Sequence, residues 1–195
     1  MNNINHKAYT DHATDYYEHN LQGYTGGLVP SHRVALFKKY LNSGKVLEIG
    51  SGAGLDAQEL IKQGFTVIPS DFTDAFVEIM KANGLAPIKL DAVNDKFPQD
   101  LDGVFANAVF VHFSPEDSKK VIANIYESLK PNGIIFLSML IGSGTEVSGK
   151  LLGIIREFFY YQPQDIEELL KGKFEILEMN QPVEGRWIHL VARKI

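Results

Sequence analysis

Cysteine is absent from the 195 residues of this chain. Without a thiol the chain cannot form a disulfide, bind zinc through thiolates or use a cysteine nucleophile. Basic clusters are also missing, because the doublets Lys38–Lys39 and Lys119–Lys120 are isolated and the net charge is -5. Phosphate binding requires clustered lysine and arginine, so we expect no nucleic-acid partner.

Long apolar runs are lacking as well. The most apolar run, residues 133–141, is too short to cross a bilayer. The first twenty residues are polar and have no apolar segment of the signal-peptide type. Hydrophobic residues make up 45% of the chain and charged residues 22%, which is typical of globular proteins. We therefore expect a soluble cytoplasmic protein with no membrane partner, either a monomer or a weak homodimer.

Apolar runs alternate with amphipathic stretches along most of the chain, which predicts strands and helices in turn. The predicted strands cover residues 45–49, 65–70, 86–90, 102–111, 134–140, 174–180 and 187–193. The predicted helices cover residues 31–41, 55–63, 73–82, 114–130 and 164–171, and residues 154–161 fit either a helix or an edge strand.

This alternation predicts an α/β fold: a Rossmann-like, doubly wound, mostly parallel seven-stranded sheet with helices on both faces. The last two strands are joined by the short segment QPVEG, so one strand near the C-terminus should be antiparallel. We expect one domain, with a helical lid over residues 1–44, a cofactor-binding half over 45–140 and a substrate-side segment with the closing strands over 141–195.

The segment GSGAG lies between the first predicted strand and its helix and carries Gly50, Gly52 and Gly54. Glycine permits positive φ and lets a ligand approach the backbone, while the following helix offers free N–H groups. Leu55 stands where a dinucleotide motif requires glycine, and the Lys-Ser/Thr of a P-loop is missing. The loop therefore predicts a ligand site of another type.

Acidic residues end three consecutive predicted strands: Glu48, Asp71 and Asp91. A carboxylate at Glu48 would repel pyrophosphate but favour an ammonium or sulfonium group. Asp71 is placed to accept hydrogen bonds from two ribose hydroxyls, with a helix N-cap as its alternative role. Asp91 could meet the edge of a nucleobase or form only a turn. Together they indicate a nucleoside that carries a cationic amino-acid tail.

The ordered segments VLEIGSGAG, VIPSD, KLDA, DGVFANAVFVHF and LKPNGIIFLSM resemble the class I S-adenosylmethionine-dependent methyltransferases. The resemblance covers residues 46–139. It implies S-adenosylmethionine as the cofactor and methyl transfer to a small-molecule acceptor by in-line displacement. The chain has NAVF where many nitrogen-methylating members have an NPPY-type motif, so we do not expect a nucleobase amine as the acceptor.

The resemblance also implies roles for individual positions, from the glycine loop to the end of the fourth strand. The implied cofactor-binding residues are Glu48, Gly50, Ser51, Gly52, Gly54, Asp71, Phe72, Asp91, Ala92, Asn107 and Ala108.

His112 follows the fourth predicted strand and is our candidate general base, because its usual pKa suits proton transfer near neutral pH. The alternatives are a substrate contact and simple packing. The N-terminal tyrosines Tyr16, Tyr17 and Tyr24 are expected to include one lid residue over the cofactor, for which we choose Tyr16. His12 and His19 are seven residues apart, and we expect no metal site.

Two other functions remain open at this stage. A non-catalytic module would bind the cofactor or its product without turnover, and a methyltransferase could also act on a macromolecule. The two short candidate lids, before residue 42 and over residues 141–161, favour a small acceptor. Arg156 in REFFYY and Arg186 are the candidates for meeting an anionic one.

Overall fold

The computed structural model describes residues 3–22, 31–181 and 186–195. Within them the helices are α1 (Asn3–Asp11), α2 (Ala13–Leu21), α3 (His32–Tyr40), α4 (Leu55–Lys62), α5 (Asp74–Ala82), α6 (Pro115–Ser128) and α7 (Pro163–Leu170). The strands are β1 (Gly44–Ile49), β2 (Phe65–Asp71), β3 (Ile88–Lys89), β4 (Leu101–Ala106), β5 (Leu129–Leu140), β6 (Thr145–Ser148), β7 (Arg156–Phe159), β8 (Phe174–Asn180) and β9 (Trp187–Lys194).

Seven of these strands form one sheet in the order β3-β2-β1-β4-β5-β9-β8. The pairs from β3 to β5 are parallel, while β9 runs antiparallel to both of its neighbours, β5 and β8. The predicted mostly parallel, seven-stranded sheet with one antiparallel strand is confirmed. The chain order reverses at β1 and β4, so their carboxyl ends border the crevice where open α/β sheets bind ligands.

Apolar side chains on the central strands explain why β1 and β4 lie in the middle of the sheet. Val46, Leu47, Val104 and Phe105 are each fully buried. The rings of Phe105 and Phe136 stack with centroids 4.5 Å apart, and Phe37 of α3 packs against Phe105. α3 thus covers one face of the sheet, where it also contacts β5 and β9.

The fourth strand is shorter than predicted, because it ends at Ala106 instead of continuing to residue 111. Ala108 adopts a positive φ of 55°, and its N–H donates a hydrogen bond to Ser138 Oγ at 2.7 Å. Phe110–His112 then form one turn of 3-10 helix. Phe110 and Val111 are buried in the core although they are not part of a strand. Their hydrophobicity is explained by this burial, and it does not indicate extended structure.

Other predicted boundaries also change. The third strand shrinks to two residues, and β5 begins at Leu129, so residues 131–133 lie within it. The ambiguous stretch 154–161 contains a strand, β7, which pairs with β6 in a separate two-stranded sheet. β6 is mostly polar and was not predicted. Tyr24 and most of QPVEG lie outside the described residues.

The N-terminal helices α1 and α2 contact α5, and α1 also contacts β7. Asn5 of α1 is fully buried, and its side-chain amide forms two hydrogen bonds with the backbone of Glu157. Asn5 Nδ2 donates to the Glu157 carbonyl oxygen at 2.9 Å, and the Glu157 N–H donates to Asn5 Oδ1 at 2.7 Å. Because these bonds resemble those of a β-ladder, they attach α1 firmly to β7.

Candidate cofactor and acceptor site

A cavity of about 590 Å³ opens at the carboxyl ends of β1, β2 and β4. Its size is within the usual range for sites that bind small molecules and cofactors. Its walls come from the glycine loop, the end of β2, the segment after β4, the start of α3 and the two N-terminal helices.

The glycine loop has the conformation that its sequence predicts. Gly50, Gly52 and Gly54 have φ values of 68°, 55° and 84°. A Cβ on Gly50 would lie 2.7 Å from Val109 Cγ2, whereas one on Gly52 would meet nothing within 4 Å. Gly50 therefore allows a close approach to the segment after β4, and Gly52 leaves room on the cavity side.

Asp71 joins two walls of the cavity. Its carboxylate accepts hydrogen bonds from the backbone N–H of Gly52 at 2.9 Å and of Thr73 at 2.8 Å. The second bond closes a turn just before α5, whose N-cap is Thr73, so Asp71 is not itself the helix cap and also faces the cavity. Burial raises the pKa of Asp71 to about 6, although these N–H donors counteract the rise.

Glu48 is a buried carboxyl group on β1, with 2% of the residue exposed. Its Oε2 has no hydrogen-bond partner among the described residues. Burial, and then the nearby charge of Asp56, raise the pKa of Glu48 to about 8. A lone buried carboxyl oxygen at the cavity wall is an acceptor that can receive an ammonium or hydroxyl donor.

Arg33 and Asp56 belong to the site but were not predicted from the sequence. Arg33 Nη2 donates to Asp56 Oδ1 at 2.9 Å, and Asn107 Nδ2 donates to Asp56 Oδ2 at 2.7 Å. Ser138 Oγ in turn donates to Asn107 Oδ1 at 2.8 Å. Arg33 Nε is buried without a partner within the described part of the chain. The only sequence signal is an arginine in the first turn of the helix before β1.

His112 lies in the wall beyond β4, and its ring is held on both sides. Nε2 lies 2.8 Å from the hydroxyl of Tyr9, and Nδ1 lies 3.1 Å from both the carbonyl oxygen of Glu157 and Nδ2 of Asn5. Burial lowers the pKa of His112 to about 4, and the charge of Arg156 acts in the same direction. The imidazole is therefore neutral at physiological pH, and its Nε2 is occupied by Tyr9.

The structure brings most of the implied site residues together. The cavity is lined by Tyr16, Glu48, Gly50, Ser51, Gly52, Asp71, Phe72, Ala92, Asn107, Ala108 and His112. Gly54 and Asp91 do not line it. Gly54 is the N-terminal cap of α4, and the Asp91 carboxylate accepts bonds from Val93 N at 3.0 Å and Asn94 Nδ2 at 2.8 Å.

The remaining candidates lie outside the cavity wall. Arg186 stands over the ring of Tyr160, and Tyr17 bonds Asn83 on the surface. His12 pairs with Asp15. In the described ranges no three His, Asp or Glu residues are grouped closely enough to hold a metal ion. No helix in those ranges is both long and apolar enough to cross a membrane.

Comparison of the sequence with known proteins finds similarity to methyltransferases. Residues 46–133 match a family model described as a methyltransferase domain. A ubiquinone biosynthesis O-methyltransferase of Idiomarina loihiensis is 27% identical over 137 residues, which cover 66% of this chain and 52% of that protein. The chain spans about half the length of the curated relatives it matches first.

Solved structures share the fold at low identity. A SAM-dependent methyltransferase from Methanosarcina mazei has a TM-score of 0.74 at 16% identity, covering 82% of this chain and 97% of that one. The 1,6-didemethyltoxoflavin-N1-methyltransferase of Burkholderia thailandensis, solved with 1,6-didemethyltoxoflavin and S-adenosylhomocysteine, has a TM-score of 0.71 at 18% identity over 97% of this chain and 86% of that one. Residues 46–133 therefore form a methyltransferase domain, and the sheet order and the glycine loop make the chain similar to S-adenosylmethionine-dependent methyltransferases.

Proposed function

We propose that this protein binds S-adenosylmethionine in the described cavity and transfers its methyl group to a small-molecule acceptor. The observation that carries the proposal is the hydrogen bond from the Gly52 N–H to the Asp71 carboxylate, which links the glycine loop to the end of β2 at the cavity.

Unpartnered polar atoms in the wall support the fit to this cofactor. Glu48 Oε2 is a buried acceptor without a donor, and Arg33 Nε is a buried donor without an acceptor. An amino-acid tail has an ammonium group and a carboxylate, which are the complementary partners for these two side chains. Asp71 at the end of β2 suits ribose hydroxyls, and Phe72 and Leu90 offer apolar surface to a base.

The chemistry of the cofactor limits what the chain has to provide. When bound, S-adenosylmethionine supplies a methyl group on a sulfonium, which an acceptor's lone pair takes by in-line displacement while the sulfur keeps the S–C electron pair. The side chains need only bind, orient the acceptor and exclude water. No strong base is required when the acceptor arrives deprotonated, which agrees with the low pKa of His112.

A small acceptor is supported by the cover that α1 and α2 place over the site. Tyr9 and Tyr16 of these helices line the cavity, and Asn5 anchors α1 to β7. The Burkholderia protein that shares this fold was solved with a small molecule and S-adenosylhomocysteine bound. We infer that α1 and α2 form a lid over both ligands.

Calorimetric titration with S-adenosylhomocysteine tests the cofactor assignment. We expect micromolar binding to the wild type and at least about tenfold weaker binding to Asp71→Asn, because a ribose-binding carboxylate is replaced by a neutral amide. Asp74→Asn is the matched control, since Asp74 is exposed and pairs with Lys89. No measurable binding to the wild type would remove the proposal. Binding without conversion of S-adenosylmethionine across an acceptor panel would favour the non-catalytic module.

A further inference from the structure

Arg156 is a buried cation next to the proposed acceptor site. Only 6% of the residue is exposed, although it lies on the short strand β7. Arg33 and Arg193 have carboxylate partners, but none is found for Arg156 in residues 3–22, 31–181 and 186–195. Its Nε has no hydrogen-bond partner within the same residues. Burying a guanidinium without a counter-charge is costly, so this arrangement requires an explanation.

Aromatic rings surround the guanidinium and partly stabilise it. Its Cζ lies 5.8 Å from the ring centre of Tyr9, 5.9 Å from that of Tyr16 and 5.1 Å from that of Phe158. These distances are within the range of cation–π interactions. They do not neutralise the charge, so its electric field extends to the cavity side of the rings.

Two of those rings are cavity walls, which connects Arg156 to the site. Tyr9 and Tyr16 both line the cavity, and Arg156 Nη1 donates a hydrogen bond to the Tyr9 hydroxyl at 3.3 Å. This bond holds the guanidinium directly behind the Tyr9 ring. Arg156 can therefore act on a ligand across the rings without touching it.

The other described side chains of this wall are aromatic, and the carboxylate whose charge reaches Tyr9 is Asp71 at the end of β2. Phe76 and Phe113 line the cavity together with Tyr9 and Tyr16. His112 on the same wall is neutral, because burial and Arg156 hold its pKa at about 4. The carboxylates that line the cavity instead belong to β1, the end of β2 and α4.

We propose that Arg156 selects an anionic aromatic acceptor, an arene that carries a carboxylate, by supplying the counter-charge behind the Tyr9 and Tyr16 wall. This inference rests on the proposed function, and it names the substrate class of that site. Arg156 is a positioning residue in it: the rings bind the arene, and the field of the guanidinium behind them binds its charge. The alternative is that Arg156 serves the carboxylate of the cofactor.

The test uses two probes of nearly equal shape, 4-hydroxybenzoate and 4-hydroxybenzamide, which differ in charge. Each is titrated by calorimetry at neutral pH into the full chain saturated with S-adenosylhomocysteine. We expect the wild type to bind the benzoate at least about tenfold more tightly than the benzamide, which corresponds to one favourable charge interaction. Equal affinities, or no measurable binding of the benzoate, would overturn the proposal.

Three variants separate the role of the charge from the role of the fold. Arg156→Met should abolish the preference for the benzoate, and Arg156→Lys should restore part of it, since a packing role alone would not depend on charge. Arg186→Met, at an exposed arginine over Tyr160, should leave the preference unchanged. If Arg156→Met fails to fold, as judged by circular dichroism, Arg156→Gln takes its place. A preference for the benzoate that persists in Arg156→Gln contradicts the proposal, because glutamine carries no charge.

S-adenosylhomocysteine affinity distinguishes this inference from the proposed function. We expect Arg156→Met to bind it within about twofold of the wild type. A loss of tenfold or more in that affinity would assign Arg156 to the cofactor and overturn the inference, while leaving the proposed function intact. If the wild type itself fails to bind S-adenosylhomocysteine, the proposed function fails. The benzoate and the benzamide can then be titrated into the ligand-free chain, and their relative affinities still test whether Arg156 favours an anion.

Discussion

The hydroxyl of Tyr9 lies 2.8 Å from Nε2 of His112, and this contact joins α1 to the turn that follows β4. The same hydroxyl accepts a bond from Arg156 at 3.3 Å. One phenol thus connects the proposed lid, the neutral imidazole and the buried guanidinium. Variants that remove this hydroxyl, or that alter other side chains around the cavity, should therefore change the stability of the fold or its affinity for ligands.

Tyr9→Phe should destabilise the fold by roughly 1–3 kcal/mol, because it leaves two buried polar groups without their partner. The free energy of unfolding from guanidinium chloride titration measures this. Tyr17→Phe is the matched control, since Tyr17 bonds Asn83 at the surface, and its effect should stay within about 0.5 kcal/mol. Equal effects of the two variants would show that the Tyr9 hydroxyl does not stabilise the lid.

Glu48→Gln should change how stability depends on pH. The pKa of Glu48 is raised from 4.5 to about 8 by burial and by Asp56. The folded state therefore holds this proton more tightly than the unfolded state does. Its contribution to the free energy of unfolding is fully present below pH 4.5 and is lost as the pH rises to about 8. Glutamine does not ionise, so we expect the variant to gain on the wild type over this range.

Thermal unfolding at several pH values checks the prediction for Glu48. The melting temperature of Glu48→Gln relative to the wild type should rise from about pH 5 to about pH 8 and then level off. Glu78→Gln, at an exposed helical glutamate paired with Lys81, should give a nearly constant difference. A constant difference for Glu48→Gln as well would mean that Glu48 is not held protonated in the fold.

Arg33→Met should weaken binding of the amino-acid part of the cofactor. We expect S-adenosylhomocysteine to bind at least about tenfold more weakly, because its carboxylate loses a charged partner. Methylthioadenosine lacks that carboxylate, so its affinity should change little. Lys39→Met, which removes a surface pair with Glu178, is the control. Equal losses for both ligands would place Arg33 in a structural role with Asp56.

Gly50→Ala should disturb the loop by a steric clash as well as by backbone strain. Its Cβ would lie 2.7 Å from Val109 at a φ of 68°, and we expect a loss of roughly 1–3 kcal/mol in stability. Gly84→Ala has a similar φ of 79° but nothing within 4 Å, so it should cost only the strain, roughly 1 kcal/mol. Chemical denaturation of both variants separates the two costs.

Much of the cofactor side of the site could be predicted because it depends on local rules. Glycines after a strand predict the positive φ values found at Gly50 and Gly52. Parallel neighbours end at the same edge of the sheet, so acids that end β1 and β2 lie near each other. The same rule failed for Asp91, since its carboxylate bonds Val93 and Asn94 within its own turn.

The acceptor side could not be predicted, because it is assembled from residues far apart in the chain. Asn5 bonds Glu157 across 152 positions, and Arg156 reaches Tyr9 across 147. Arg33 meets Asp56 only because α3 and α4 pack on the same side of the sheet. No periodicity or motif encodes such pairs.

The sequence by itself determined the alternation of strands and helices in the seven-stranded sheet, its one antiparallel strand near the C-terminus and the glycine loop with Asp71, since these follow from hydrophobic periodicity and local backbone chemistry. Only the tertiary structure decided that β4 ends at Ala106, that Tyr9 occupies Nε2 of His112 and that Arg156 lies buried without a carboxylate partner in the described residues. Those outcomes depend on how the lid, β7 and the sheet pack together, and packing is a property of long-range contacts rather than of any local pattern.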